Sequence, residues 1–249
     1  MSLRVQVCPV TRAIGYPLVA HHQVVHTRSG SLLTEPSLRS TLLTVLGEPN
    51  VDRIARRRQG TRNEILDAAW AVVRESGWSG LTQRSVAEQV GMRAPSLYGH
   101  FDSKLTIIDA MFGQAWAEFD ATAAALEPDL PEDPRAALLA VATTWLDAMA
   151  ADPERNALMN QSPIPGFTPS AESYAFALKA IERLHRLLDR LGITDPDAAD
   201  LWTGILAGLA SQQNANDPGG ERWRRLVPRA VDMFLSEVGP DTTRRKKSR

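Results

Sequence analysis

Between Leu81 and Phe101 the chain asks for two short helices joined by a tight turn, and few folds accommodate that demand. Thr82 suits the N-cap of a helix carrying Val86, Ala87 and Val90, because a side-chain oxygen there can accept from an otherwise unpaired backbone N–H. Gly91 can supply the left-handed residue that ends such a helix. A second short helix is expected from about Ala94 to His100, with Ala94, Leu97 and Phe101 turned inward. Arg93, Pro95, Ser96, Tyr98, Gly99 and His100 are then left outward or at its margin. That polar face is odd on a plain scaffold and sensible on a helix meeting phosphates and base edges in a major groove.

The flanks extend a helical pattern. Ile65, Ala69, Val72 and Val73 recur at the spacing of one buried face, and Ser76-Gly77 closes that segment. Asp102 or Ser103 is expected to cap a longer helix holding Leu105, Ile108, Met111, Phe112, Ala115, Trp116 and Phe119. Pro128, Pro131 and Pro134 mark a loop before an apolar helix around Leu138 to Met149. Asp152-Pro153 has N-cap and N1 preferences, and residues 161–171 form a Pro-rich break. Helices then fit 171–191, 197–215 and 218–237, the last opened by Asp217-Pro218. No strand alternation survives after residue 53, so the fold class is all-α.

Residues 1–52 mix Pro9, Pro17, Pro36 and Pro49 with scattered glycines and read as a disordered extension, with Leu38 to Leu46 its one stretch fit for a short helix. Charge is unevenly spread. Residues 53–105 carry nine Lys/Arg against five Asp/Glu, whereas residues 106–238 carry ten against twenty. A basic block beside an acidic body suits a polyanionic partner for the first alone, although solvated surface charge gives a milder version. Residues 239–249 form a basic tail, also expected to be disordered. The single cysteine, Cys8, can form neither an internal disulfide nor a thiolate metal site, which fits a cytoplasmic protein. No run approaches the roughly 18 apolar residues of a membrane span. The histidines, at 21, 22, 26, 100 and 185, form no metal-ligand cluster, and neither G-x-S-x-G nor a phosphate loop occurs. The expectation is no enzyme, no metal and no cofactor.

Residues 62–111 resemble the DNA-binding region of the TetR (tetracycline-repressor-like) family. The carrying motifs are I-L-x-A-A-W at 65–70, G-W-x-G-L-T at 77–82, V-A-x-x-V-G at 86–91 and S-L-Y-x-H-F-x-S-K at 96–104. The resemblance implies a helix-turn-helix DNA-binding domain over 53–110, followed by a larger helical ligand-binding and dimerisation domain over 111–238. It implies a cytoplasmic regulator that acts as a homodimer on double-stranded operator DNA, usually as a repressor released by a small-molecule effector, and that does not engage a membrane. Tyr98 and Lys104 fall where family members touch phosphate, with Thr82 a further candidate. Arg84, Arg93, Pro95, Ser96 and His100 occupy positions open to base or backbone contact. Two departures stand out. Arg93 replaces the Ser or Thr that often caps the reading helix, and Gly99 replaces a larger residue, loosening that helix by roughly 0.5–1 kcal/mol relative to alanine. Each contact has a plainer alternative: Tyr98 packing its ring on the domain, His100 hydrogen-bonded structurally, Lys104 solvated at a helix start. Arg53, Arg56, Arg57 and Arg58 are expected to precede the first helix, either along phosphates and in the minor groove or without fixed contacts.

In the larger half, Trp116, Trp145, Met149, Met159, Phe167, Tyr174 and Trp202 are candidates to line an effector pocket, since aromatics and methionines suit an apolar ligand. The same residues at helical spacing also serve as plain core. Gly204 and Gly208, with Leu201, Ile205 and Leu209, would let a partner helix approach closely, and Trp223, Val227, Val231 and Phe234 extend the face. Residues 197–237 are therefore expected to form a two-helix dimer face that closes into a four-helix bundle. The rival from another class is a helical protein-interaction adaptor without specific DNA binding, for which Tyr98 and Lys104 would be dispensable.

Overall fold

The computed structural model describes residues 49–239, and among them the regular structure is helical, with no strand. Helix α1 spans Pro49–Gly80 and bends at Gly77, whose φ of 67° no helical residue adopts. Short helices α2 (Gln83–Val90) and α3 (Ala94–Tyr98) follow. The long α4 (Lys104–Leu126) then leads through α5 (Pro134–Ala151), α6 (Pro153–Asn160) and α7 (Ala171–Arg190) to α8 (Ala198–Asn216) and α9 (Val227–Val238).

Most boundaries follow from local chemistry. Thr82 and Ser85 form a reciprocal capping box at α2, and Ser103 and Thr106 form another at α4. Asp133, Asp152 and Ser170 cap α5, α6 and α7 through their side chains. Gly91 (φ 71°, ψ 27°) ends α2, its N–H reaching Glu88 O while Met92 N–H reaches Ala87 O. Only a residue without Cβ takes that conformation cheaply.

Two expectations need correction. Helix α1 already begins at Pro49, so Arg53, Arg56, Arg57 and Arg58 sit on the first helix and do not precede it. The rest of the expected extension and the basic tail from residue 240 onward lie outside the described residues. Nor does Asp217-Pro218 open the last helix. Gln213, 1% exposed, holds residues 217–224 in a loop: its Nε2 donates to Asp217 O and Gly220 O (3.1 Å), and its Oε1 accepts from Trp223 N (2.9 Å) and Arg224 N (3.2 Å). Helix α9 starts only at Val227, with Pro228 in its first turn.

The core runs without a break from the first helices into the larger half. Helix α4 crosses the junction. Ile107, Ile108 and Met111 are buried near its start, Phe112, Ala115 and Trp116 further along. It packs tightly on α7, where a Cβ added at Gly113 would stand 3.1 Å from Ser173 Oγ. Asp109 fixes that pairing by accepting from Ser170 N (2.7 Å), Ser170 Oγ (2.8 Å) and Ser173 Oγ (2.9 Å). A second tie joins the halves: Arg74 of α1 pairs with Asp152 (2.5 Å), Asp152 with Arg155 (3.1 Å), and Arg155 with Glu118 of α4. The Arg155 guanidinium also lies 4.9 Å from the Trp70 ring centre. Helix α9 is pinned to α5 by Arg135, which grips Asp232 through two hydrogen bonds (2.6 and 3.1 Å) and holds that carboxyl below its ordinary pKa. No helix among the described residues is long and apolar enough to cross a membrane.

Candidate DNA interface and effector pocket

Leu97 (0% exposed) and Phe101 (2%) anchor α3 from beneath, and half-buried Ala94 packs beside them. Arg93, Pro95, Ser96 and Tyr98 are left exposed on the outer side, as the sequence pattern requires. Tyr98 is 51% exposed, so its ring is not packed away in the free protein. Arg93 makes no side-chain cap hydrogen bond, so the missing Ser or Thr leaves the start of α3 uncapped. From the other end α1 braces the helix. Arg62 Nη1 donates to His100 O (2.5 Å) with its guanidinium 4.1 Å from the Phe101 ring centre, and Arg58 Nη2 donates to Gly99 O (3.4 Å). Cations at a helix C-terminus favour its carbonyls and dipole, so these two arginines hold α3 in place.

The remaining DNA candidates differ in freedom. Thr82 is exposed, but its hydroxyl is engaged with Ser85. Arg84 is exposed and paired with Glu88 at 2.9 Å, a contact that holds the guanidinium charged and that solvent screens. His100 is half-buried with Nδ1 unpartnered, so it stands at the margin of the outward face. Lys104 donates from Nζ to Trp78 O (3.0 Å), which places its charge at the start of α4, beside the two-helix unit.

The larger half holds a partly open cavity of about 140 Å³ among α4, α5, α7 and α8. Of the seven effector-pocket candidates, Trp116, Trp145 and Trp202 line it. The other four candidates do not. Met159, Phe167 and Tyr174 border a separate crevice of about 10 Å³, room for about one water. Met149 is core, with its sulfur 3.8 Å from Asn160 Nδ2. Residue type suggested all seven; helix face separates them. Phe119, Ala123, Leu126 and Glu127 continue the inner face of α4 from Trp116 and were findable by that periodicity. Phe119 meets Trp145 edge-on, with ring centres 4.6 Å apart. Arg183, also on the wall, is gripped by Asp120 (3.0 Å) and Glu127, which keep its pKa raised despite the opposing effect of burial. The indole N–H groups of Trp116 and Trp145 are buried without an acceptor, each costing about 1–3 kcal/mol if left so.

The expected dimer face divides. Val227 (2% exposed), Val231 (1%) and Phe234 (1%) close against their own chain, with Phe234 4.9 Å from the Trp202 ring. They are therefore not available to a partner, because α9 spends its apolar stripe on α5 and α8. Trp223 and Leu209 are partly buried. Leu201 (40% exposed), Gly204 and Gly208 share the outer side of α8 with Ile205 partly buried beside them, and Met233 of α9 is 62% exposed.

Residues 65–111, from the end of α1 through both short helices to the start of α4, match the family model described as bacterial regulatory proteins, tetR family. Over these residues the chain carries a TetR-type DNA-binding region. The tetracycline repressor protein class A from transposon 1721 of Escherichia coli is 28% identical over 191 residues, which are 72% of this chain and 82% of that repressor. Among solved structures, the regulatory protein SCO4313 superimposes with a TM-score of 0.62 at 22% identity, over 73% of this chain and 98% of its own. The transcriptional regulator FadR from Bacillus subtilis, solved with stearoyl-CoA, gives 0.58 at 17% identity, over 70% and 97%. These last two likenesses concern the fold. The chain is a DNA-binding transcriptional regulator.

Proposed function

We propose that the protein is a cytoplasmic homodimeric repressor, and not an enzyme, whose two α3 helices read a palindromic operator and which a small molecule in the larger half releases. Residues 53–110 serve as the DNA-binding domain and residues 111–238 as the effector and dimer domain. The observation that carries this reading is continuity: α4 has Lys104, Ile107 and Ile108 in the DNA-binding unit and Trp116 and Phe119 on the cavity wall. A ligand that shifts α4 therefore shifts the frame holding α3. Release requires that the ligand bind the low-affinity arrangement more tightly than the DNA-bound one. Dimerisation falls to the outer side of α8 with Met233, which places two reading helices on one duplex.

The test is a mobility shift on the DNA upstream of the protein's own gene, comparing wild type with the Tyr98→Phe, Lys104→Ala double variant. Loss of at least tenfold in operator affinity, with the dimer intact by sedimentation, supports the reading. Unchanged affinity favours the protein-only adaptor.

A further inference from the structure

We propose that the cavity takes an uncharged aromatic compound of one or two rings bearing a carbonyl-type acceptor, which the indole N–H groups of Trp116 and Trp145 bind. The inference rests on reading this cavity as the effector pocket. Three observations point to that class. The wall is mostly aromatic and aliphatic, with Trp116, Phe119, Trp145 and Trp202 beside Leu184 and Leu206, and Thr144, Asn160 and Thr203 are its uncharged polar members. Rings favour edge-on and offset contact with such a surface.

The second observation is the pair of unpartnered donors. Trp70, by contrast, gives its indole N–H to Gln114 at 2.9 Å. Trp116 and Trp145, 4% and 8% exposed and with ring centres 6.2 Å apart, have no acceptor. Both nitrogens are buried in the free chain, so the proposal has each indole turn toward the ligand, whose acceptor then satisfies it. Buried donors in native proteins are almost always satisfied.

Charge decides the third point. Among the described residues lining the cavity, the one cation is Arg183, already held by both Asp120 and Glu127. A carboxylate ligand meets no free cation there and two carboxylates nearby. Size bounds the ligand: about 140 Å³ is close to the roughly 150 Å³ cavity that takes benzene, so one ring fits the cavity as it stands and a fused pair requires the Trp116 and Trp145 rings to move apart.

The experiment is calorimetric titration of the full chain with coumarin, naphthalene, 2-naphthoate and decanoate. Coumarin has fused rings and a carbonyl; naphthalene lacks the acceptor, and 2-naphthoate adds a negative charge. Coumarin is expected to bind about tenfold more tightly than naphthalene, worth roughly 1.4 kcal/mol, and at least tenfold more tightly than 2-naphthoate. Trp116→Phe and Trp145→Phe, singly and together, are expected to erase the advantage of coumarin over naphthalene while naphthalene still binds. Should those variants not fold, the wild-type order of affinities remains decisive. Equal binding of coumarin and naphthalene, preference for 2-naphthoate, or no coumarin binding overturns the proposed class. Ala180→Phe, or Val141→Phe if the first is unstable, fills the cavity and separates the two failures. If either plug blocks decanoate or 2-naphthoate, the pocket stands and only the ligand class falls. If coumarin binds both plugged variants as well as wild type, the pocket reading itself falls, and this proposal with it.

Discussion

Gln213 governs a turn that sequence pattern alone assigns to a helix. Its amide serves Asp217 O, Gly220 O, Trp223 N and Arg224 N from a fully buried position. Gln213→Leu keeps much of the volume and leaves those backbone groups unpaired, so a loss of about 2–4 kcal/mol is expected. Urea denaturation checks it, and a loss below about 1 kcal/mol means the loop holds itself. Arg93 carries the opposite kind of consequence. It stands at an uncapped N-cap with extended backbone (φ −74°, ψ 139°), exposed on the reading face. Arginine there suits the O6 and N7 of a guanine, whereas serine would cap the helix. Arg93→Ser is therefore expected to raise stability by about 0.5–2 kcal/mol and to weaken operator binding by about 1–3 kcal/mol. Thermal unfolding and a competition shift against random DNA read the two effects separately. If both move in one direction, Arg93 is not the base reader.

At the scale of elements, α8 carries two glycines that would tolerate a side chain in the single chain and, in the proposed dimer, would resist one. A Cβ built at Gly204 or Gly208 meets nothing within 4 Å, and replacing glycine by alanine in a helix gains about 0.8–1 kcal/mol each. Gly204→Ala with Gly208→Ala is expected to leave the folded chain at least as stable while weakening dimerisation at least tenfold, by sedimentation at several concentrations. Unchanged association would move the dimer contact elsewhere. The same helices mark how far the sequence could be read. Caps at Thr82, Ser103 and Asp152 were legible because they involve residues three apart. The inner face of α3 was legible because Leu97 and Phe101 have one side to bury. Helix α9 was not, because an apolar stripe is identical whether its neighbour is α5 of the same chain or a second copy. Tertiary packing claimed Val227, Val231 and Phe234 first. The pocket was half legible for a related reason. Aromatic character marks Trp116, Met159 and Phe167 alike as apolar, but only the convergence of α4, α5, α7 and α8 leaves space beside the first.

For the whole molecule, attraction to DNA has to come from where charge lies and not from how much there is. Net charge is −1, yet the segment carrying α1 to α3 is basic and the body acidic, so the field orients the chain with α3 toward a polyanion. Each phosphate neutralised adds about −0.9 to the slope of log affinity against log salt, and a dimer making 6–10 such contacts loses about 10³–10⁵ in affinity between 50 and 200 mM salt. An uncharged aromatic ligand displaces no counterions, so its affinity should be nearly flat over the same range. Shift assays and calorimetry at matched salt give both slopes. A flat DNA slope removes electrostatics from the interface; a steep ligand slope means the effector is charged. The two equilibria are also linked. Whatever factor the ligand takes from DNA affinity, operator DNA must take from ligand affinity, so coumarin titrated into the protein–operator complex is expected to bind more weakly by the same factor that it removes from DNA affinity in the shift assay. Unequal factors would mean that the compound acts on DNA binding from a site other than the one calorimetry measures.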